Sequence, residues 1–206
     1  MNRVCVITAD GGSYYAIVSR LRSAGLPFLS LLPGDAADDC ALVVTTRKEA
    51  SSFGSPTVSL EDLDEDPGIA RSQILVRLSG GERVLLVGVD PGQRIGIAAF
   101  LGDSRLASRT FNSRRAACAW IADLLEKVPS GRVTVRVGDG DPRMARWVAD
   151  TLASRVQRAR VEIVDESGTS SSRRPRGLQR DQGSAAKIAF RRGTAFRQES
   201  PGSKSR

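Results

Sequence analysis

The sequence predicts an α/β protein in two parts: a small Rossmann- or receiver-like α/β unit over residues 1–60, and a mixed sheet flanked by helices over 82–193. Three observations lead there. Apolar runs of strand length alternate with amphipathic stretches of helix length along most of the chain. One stretch, Val84-Leu-Leu-Val-Gly-Val-Asp-Pro-Gly-Gln-Arg-Ile-Gly-Ile97, reads as a buried strand, a tight turn and a returning strand, because the apolar run stops abruptly at Asp90-Pro-Gly92. A Gly80-Gly81 pair then separates halves of opposite charge: residues 1–80 carry 7 Lys+Arg against 10 Asp+Glu, residues 81–206 carry 24 against 13.

In the first part, Val4 to Thr8 has the length and apolarity of a buried strand. Ser13 is a fitting N-cap for a helix to Ala24, which turns Tyr15, Ile17, Val18 and Leu21 toward a core and stops at Gly25. Pro27 to Leu32 and Ala41 to Thr45 supply two more strands, so the unit is parallel and of βαβ type. Asp10-Gly-Gly12 lacks the glycine fingerprint and later acid of a dinucleotide site and reads as a plain strand-to-helix loop. Residues 47–68 are polar, and the acids Glu61, Asp62, Asp64, Glu65 and Asp66 read as solvated surface. Residues 61–81 then form a linker with a helix from Gly68 to Leu78.

In the second part, strands at 84–90, 94–101 and about 105–111 form a meander. Asn112 or Ser113 caps a helix to Lys127, whose Ala117, Trp120, Ile121, Leu124 and Leu125 make a core stripe. Arg132 to Val137 is the fourth strand. Pro142 opens a helix with Met144, Trp147, Val148, Thr151 and Leu152 on one face, and Asp141 before it is an N-cap. Val161 to Val164 is the fifth strand, ending in Asp165-Glu166. A Gly/Ser/Arg-rich loop covers 167–183, a short helix runs from Ser184 to Arg192, and residues 194–206 have the composition of a disordered tail.

Composition removes whole classes of chemistry. Apolar residues make up 40% and charged residues 26%, the values of an ordinary globular chain. There is no histidine, which excludes Ser-His and Cys-His triads and most zinc sites. Cys5, Cys40 and Cys118 are odd in number and far apart, and are expected as buried thiols in a reducing cytoplasm rather than disulfides. No apolar run approaches the roughly 18 residues of a membrane helix. Asp10-Gly-Gly12 interrupts the first apolar run, so no signal peptide and no membrane partner is expected. The basic second half favours a polyanionic partner, most simply nucleic acid.

The order βββαβαβα, with acids closing its first, fourth and fifth strands, resembles the ribonuclease H-like nucleases, more narrowly their RuvC and YqgF branch. The strand ending in Asp90-Pro-Gly92 is similar to the family's first strand. Val161-Glu-Ile-Val-Asp-Glu-Ser-Gly-Thr-Ser170 is similar to the YqgF segment in which a strand runs into Asp-Glu, and Asp181-Gln-Gly-Ser-Ala-Ala-Lys-Ile-Ala189 to its closing helix. Gly138 stands where the family has a glycine. The resemblance covers about 83–193. With the extra N-terminal α/β unit the chain is reminiscent of archaeal RuvC-like proteins of unassigned role. Ser167 departs from the family's usual Arg, and the loop Ser170 to Arg180 holds more arginine than the family pattern.

The resemblance implies a nuclease that uses two divalent ions, Mg2+ or Mn2+, to activate water and stabilise a leaving oxygen. Asp90 would bridge the ions, Asp139 and Asp181 would add ligands, and Asp165-Glu166 would add one more, with Glu166 favoured and the choice left open. Each acid has a plainer reading: Asp181 as a helix cap, Asp139 as a turn residue in Gly138-Asp-Gly140. Gly92 and Gly96 would leave room for a bulky ligand beside Asp90. Arg94, Arg173, Arg174, Arg176 and Arg180 would meet phosphates, and without interleaved aromatics the arginine loop would contact structure rather than sequence. The substrate implied is branched DNA or structured RNA, and a four-way junction would require a homodimer for paired cuts. A binding protein that keeps the fold without cleaving is the second reading. An actin-like ATPase would need a duplicated domain that residues 1–80 are too short to supply. A signalling receiver is disfavoured, because Asp10 has no acidic pair beside it and no evident lysine partner.

Overall fold

Val4 and Val6 share one face of the first strand, and Cys5 and Ile7 share the other; this alternation organises the first unit. The computed structural model describes residues 3–80, 84–166 and 180–197. It divides into two units, residues 1–81 with 127–129 and residues 82–126 with 130–206. In the first, β1 (Arg3–Val6), β2 (Leu29–Ser30), β3 (Cys40–Thr45) and β4 (Thr57–Ser59) pair in parallel in the order β2-β1-β3-β4. Two helices, α1 (Gly11–Ser23) and α2 (Pro67–Leu78), complete it. Val4, Val6, Leu42 and Val44 pack with Ile17 and Leu21 of α1 and Ala70 and Ile74 of α2.

The helix expected as part of a linker is therefore core. Fully burying a side chain such as Ile74 contributes about 1.5–3 kcal/mol, which a solvated connector would forgo. Asp66, read as solvated surface, caps α2 by accepting from Gly68 N at 2.9 Å and Ile69 N at 3.2 Å. Asp10 rather than Ser13 caps α1, its Oδ2 accepting from Ser13 N at 2.7 Å. β4 lies in the stretch read as a polar connector; Val58 alone of its three residues is a buried apolar side chain, too little pattern to register in the sequence.

The cysteine expectation also needs correction. Cys5 and Cys40 form a disulfide with a Cα–Cα distance of 5.8 Å, within bridging range. They are 35 residues apart in the chain but lie on neighbouring parallel strands, on the face turned away from α1 and α2. Closing a loop of that length stabilises by about 4 kcal/mol through the unfolded chain. A reductant is thus expected to lower the melting temperature of the wild type and to leave a Cys5→Ala, Cys40→Ala variant unmoved, as scanning calorimetry would read. Cys118 stays a buried thiol, and burial pushes it up to about 11, so it is a core group and not a nucleophile.

In the second unit, β5 (Leu85–Pro91), β6 (Ile95–Leu101) and β7 (Ser104–Phe111) form an antiparallel meander. β8 (Val133–Gly138) and β9 (Ala159–Val164) run parallel to β5. The sheet order is β10-β9-β8-β5-β6-β7, mixed and flanked by helices, with β5 central. β10 (Thr194–Ala195) pairs antiparallel with β9, so the expected tail begins with two residues of strand; residues 198–206 lie outside the described set.

α3 (Arg114–Lys127) and α4 (Pro142–Arg155) cover one face of this sheet, and α5 (Arg180–Phe190) covers the other. On the first face Val87, Val89, Ile97, Val135 and Val137 are buried, and Phe111 meets Trp120 of α3 with ring centroids 6.0 Å apart. On the second, Leu86 of β5 with Ala98 and Phe100 of β6 packs against Ala185, Ala186 and Ala189 of α5. There α5 rests directly on the backbone of β5: a Cβ on Gly88 would sit 1.9 Å from Ala185 O and 2.7 Å from Ala189 N. α5 also starts earlier than the sequence suggested, because Gly183 inside its first turns hides the helical pattern.

Candidate functional site

The C-terminal ends of β5, β8 and β9 lie at one edge of the second sheet, since the three strands are parallel and in register. The acids that the sequence placed at strand ends lie along that edge, without converging on one point. Gly88 faces α5, so Asp90, two residues on, faces α5 as well. Asp90 is half-buried, and its Cα partner across the ladder is Gly96.

Gly96 does not leave space for a ligand, as the sequence had suggested. A Cβ there would meet Asp181 O at 2.2 Å and Asp181 Cβ at 3.1 Å, so the first turn of α5 fills that space. Opposed residues of an antiparallel pair hold their Cβ atoms about 5 Å apart. Asp181, seated on Gly96, is therefore a near neighbour of Asp90 on the same face. Asp181 lies in the first turn of α5, where a carboxylate suits the positive end of the helix. Its Oδ2 is buried and accepts no hydrogen bond. Arg94 Nη2 lies 3.0 Å from it, a charge contact whose N–H is not aimed along the bond.

At the other side of the edge, Asp139 and Glu166 tie two loops together. Asp139 N donates to Val164 O at 3.1 Å, and Asp139 Oδ1 accepts from Glu166 N at 2.8 Å. Glu166 Oε1 accepts from Gly140 N at 3.2 Å and occupies the space where Gly138 lacks a Cβ. Of the Asp165-Glu166 pair, Glu166 thus lies over β8, while Asp165 is exposed and its carbonyl accepts from Arg191 Nη1 at 2.8 Å. Asp141 caps α4 by accepting from Met144 N at 3.0 Å. Arg173, Arg174 and Arg176 lie outside the described residues, and Arg180 is described only as the first residue of α5.

Magnesium accepts one or two carboxylates, with water and substrate phosphate completing its shell. The donors fit that demand through Asp90 and Asp181, the second of which offers a buried oxygen that faces the guanidinium of Arg94. They do not form a dedicated cage: among the described residues no group of three or more His, Cys, Asp or Glu could hold a metal ion.

The first unit has a polar centre of its own, which the sequence reading missed. Glu49 accepts from Thr46 Oγ1 at 2.6 Å, Thr8 Oγ1 at 2.6 Å, Ala9 N at 2.7 Å and Thr45 Oγ1 at 3.2 Å. It sits just past the C-terminal ends of β1 and β3, where the strand order reverses, the usual ligand position in a parallel sheet. The available signal was hydroxyls at both strand ends, Thr8 and Thr45-Thr46, with an acid three residues on. Burial opposes the charged form, but the four hydrogen bonds outweigh it and hold the carboxyl at about 2, against an ordinary 4.5. The folded value is the lower one, so this stabilisation is full above pH 4.5 and is lost as pH falls toward 2. Glu49→Ala should cost about 2–3 kcal/mol at neutral pH, and less in acid, as urea melts at several pH values would measure. A cavity of about 660 Å³ opens beside Glu49, with Ile7, Thr8 and Phe53 in its wall.

A family model describing a response regulator receiver-like domain matches residues 3–74, most of the first unit including the greater part of α2. No curated protein matches the chain. The chain is thus an α/β protein with a receiver-like N-terminal unit and a mixed sheet flanked by helices. No described helix is long and apolar enough to cross a membrane.

Proposed function

We propose that the second unit is a divalent-metal-dependent endonuclease of the RuvC and YqgF kind, a member of the ribonuclease H-like class acting on branched DNA or structured RNA. The observation that carries this reading is the seating of Asp181 on Gly96, the ladder partner of Asp90, on the α5 face of the central strand's end, with Oδ2 of Asp181 buried beside Arg94. A meander followed by two parallel strands, with acids at the edge shared by β5, β8 and β9, supports it. So does the basic charge of residues 81–206.

Asp90 and Asp181 would hold Mg2+ or Mn2+, and the bound ion would supply activated water and stabilise the leaving oxygen. The chain's own residues do the rest. Gly88 and Gly96 let α5 settle on the sheet and so fix Asp181 beside Asp90. Asp139 orients the backbone of Glu166, whose carboxylate closes the β8 side of the edge. Arg94 balances the charge of Asp181 and is exposed enough to swing toward a phosphate. A junction substrate would call for a homodimer. A cytoplasmic location goes with that substrate class, and burial would there shield the Cys5–Cys40 disulfide from reductants.

A second reading, a binding protein that does not cleave, draws on the Arg94–Asp181 contact and on the lack of a three-acid group among the described residues. Incubating the full chain with labelled junction, duplex and hairpin RNA in Mg2+, Mn2+ or EDTA separates the two. Metal-dependent products are expected on a branched or structured substrate. Binding without products in any metal supports the second reading.

A further inference from the structure

Arginine is distributed unevenly around the second unit in a way that stability does not explain. On the α5 side three arginines are paired with carboxylates: Arg94 with Asp181, and Arg136 and Arg160 with Glu162, the latter two at 2.9 Å. On the other side, Arg114 and Arg115 open α3 and Arg143 lies in the first turn of α4. All three are exposed, and no carboxylate pairs with them among the described residues. A cation at a helix N-terminus opposes the helix dipole, so three arginines there weaken the fold where acids would strengthen it. Neither first turn holds an acid, and the carboxylate that caps α4, Asp141, is engaged by Met144 N.

Arg114 is also held in place. Its Cζ lies 4.4 Å from the ring centroid of Trp147, one turn along α4 from Arg143. A guanidinium stacked on an indole keeps its donors in a fixed plane, so less freedom is lost when it meets a planar or tetrahedral anion. The three arginines lie at the same edge of the sheet as Asp90. β7 ends there beside the start of β6, α3 follows it, and α4 follows the end of β8.

We propose that Arg114, Arg115 and Arg143, with Trp147 as the platform for Arg114, form a phosphate-binding track for the nucleic-acid strand that flanks the Asp90–Asp181 site. The inference rests on the nuclease reading for its partner class and adds a surface that the arginine loop does not include. The contacts are to backbone phosphates and carry no sequence preference. Trp147 is a positioning residue, half-buried, with the Arg114 guanidinium over its ring.

The test is fluorescence anisotropy of labelled duplex, junction and hairpin RNA against the full chain over a range of salt. Replacing Arg114, Arg115 and Arg143 together by Ala should weaken binding more than tenfold at low salt. It should also flatten the slope of log affinity against log salt by about 2–3, since each lost phosphate contact removes about 0.7–0.9. The melting temperature should hold or rise, because the replaced charges oppose two helix dipoles. A double variant, Arg115→Ala with Arg143→Ala, leaves the Trp147 stack intact and should lose about two thirds of that slope. Replacement of all three by Lys should restore most of it. Arg22→Ala, in the first unit, is the control that should change nothing. Unchanged affinity and slope in the triple variant would overturn this inference while leaving the nuclease reading standing. No binding by the wild type would overturn both. Preference for a phosphorylated peptide over a duplex of equal charge would overturn the assignment of the partner.

Discussion

Asp90→Asn is expected to lower metal-dependent cleavage by orders of magnitude while leaving the protein folded. Asparagine keeps the size and hydrogen-bonding capacity of the side chain and removes the charge that, with Asp181, would hold the ion. A rate that depends on the placement of a metal-bound water and a leaving oxygen falls tenfold for each 1.4 kcal/mol or so of lost stabilisation. Stability points the other way. Asp90 and Asp181 are near neighbours on one face, and like charges disfavour one another, so removing one relieves repulsion. Nucleic-acid binding should hold or tighten slightly as a negative charge leaves the edge. A purely structural Asp90 predicts the reverse pattern: a lower melting temperature with unchanged activity per folded molecule. Measuring both quantities on one variant decides between the two.

Gly88→Val should abolish activity without touching a single carboxylate. Its Cβ would stand 1.9 Å from Ala185 O and 2.9 Å from Ala189 Cβ, distances at which the backbone of α5 must lift from the sheet. The alanines 185, 186 and 189 would lose their contacts with Leu86, Ala98 and Phe100, and Asp181 would leave Gly96. Overpacking of this kind typically costs about 1–3 kcal/mol, and a clash with helix backbone belongs at or above the upper end. Hydrogen exchange should quicken in residues 180–190 first. Gly92→Ala is the contrast: its added Cβ would meet Arg94 O at 3.4 Å, an ordinary van der Waals contact, and should be tolerated.

Much of this arrangement was legible in the sequence, for identifiable reasons. The meander and the two later parallel strands showed through because each apolar run is bounded by a turn signal, as Val84 to Val89 is by Asp90-Pro-Gly92. The placing of Asp90, Asp139 and Glu166 at strand ends followed from those boundaries. What stayed hidden depends on contacts between distant residues. Cys5 and Cys40 become neighbours only when β1 and β3 align, and an odd cysteine count argued against pairing. Nothing local singles out Glu49, because its donors Thr8 and Ala9 lie about 40 residues away. The space beside Gly96 seemed open because nothing local says that α5 will fill it. Acids with a capping role, Asp10 and Asp66, were read as loop and surface, since a cap differs from a solvated acid only in the hydrogen bond it accepts.

The central claim is that Asp90 and Asp181 together hold a divalent cation at the end of β5. The most direct measurement is a titration of the full chain with Mn2+, with duplex DNA present, followed by electron paramagnetic resonance of the free ion. The wild type should bind Mn2+, and Asp90→Asn and Asp181→Asn should each weaken that binding at least tenfold. Glu166→Gln should weaken it less, because that carboxylate is already engaged by Gly140 N. Equal binding by the wild type and both Asp variants, or no binding by any of them, would contradict the claim.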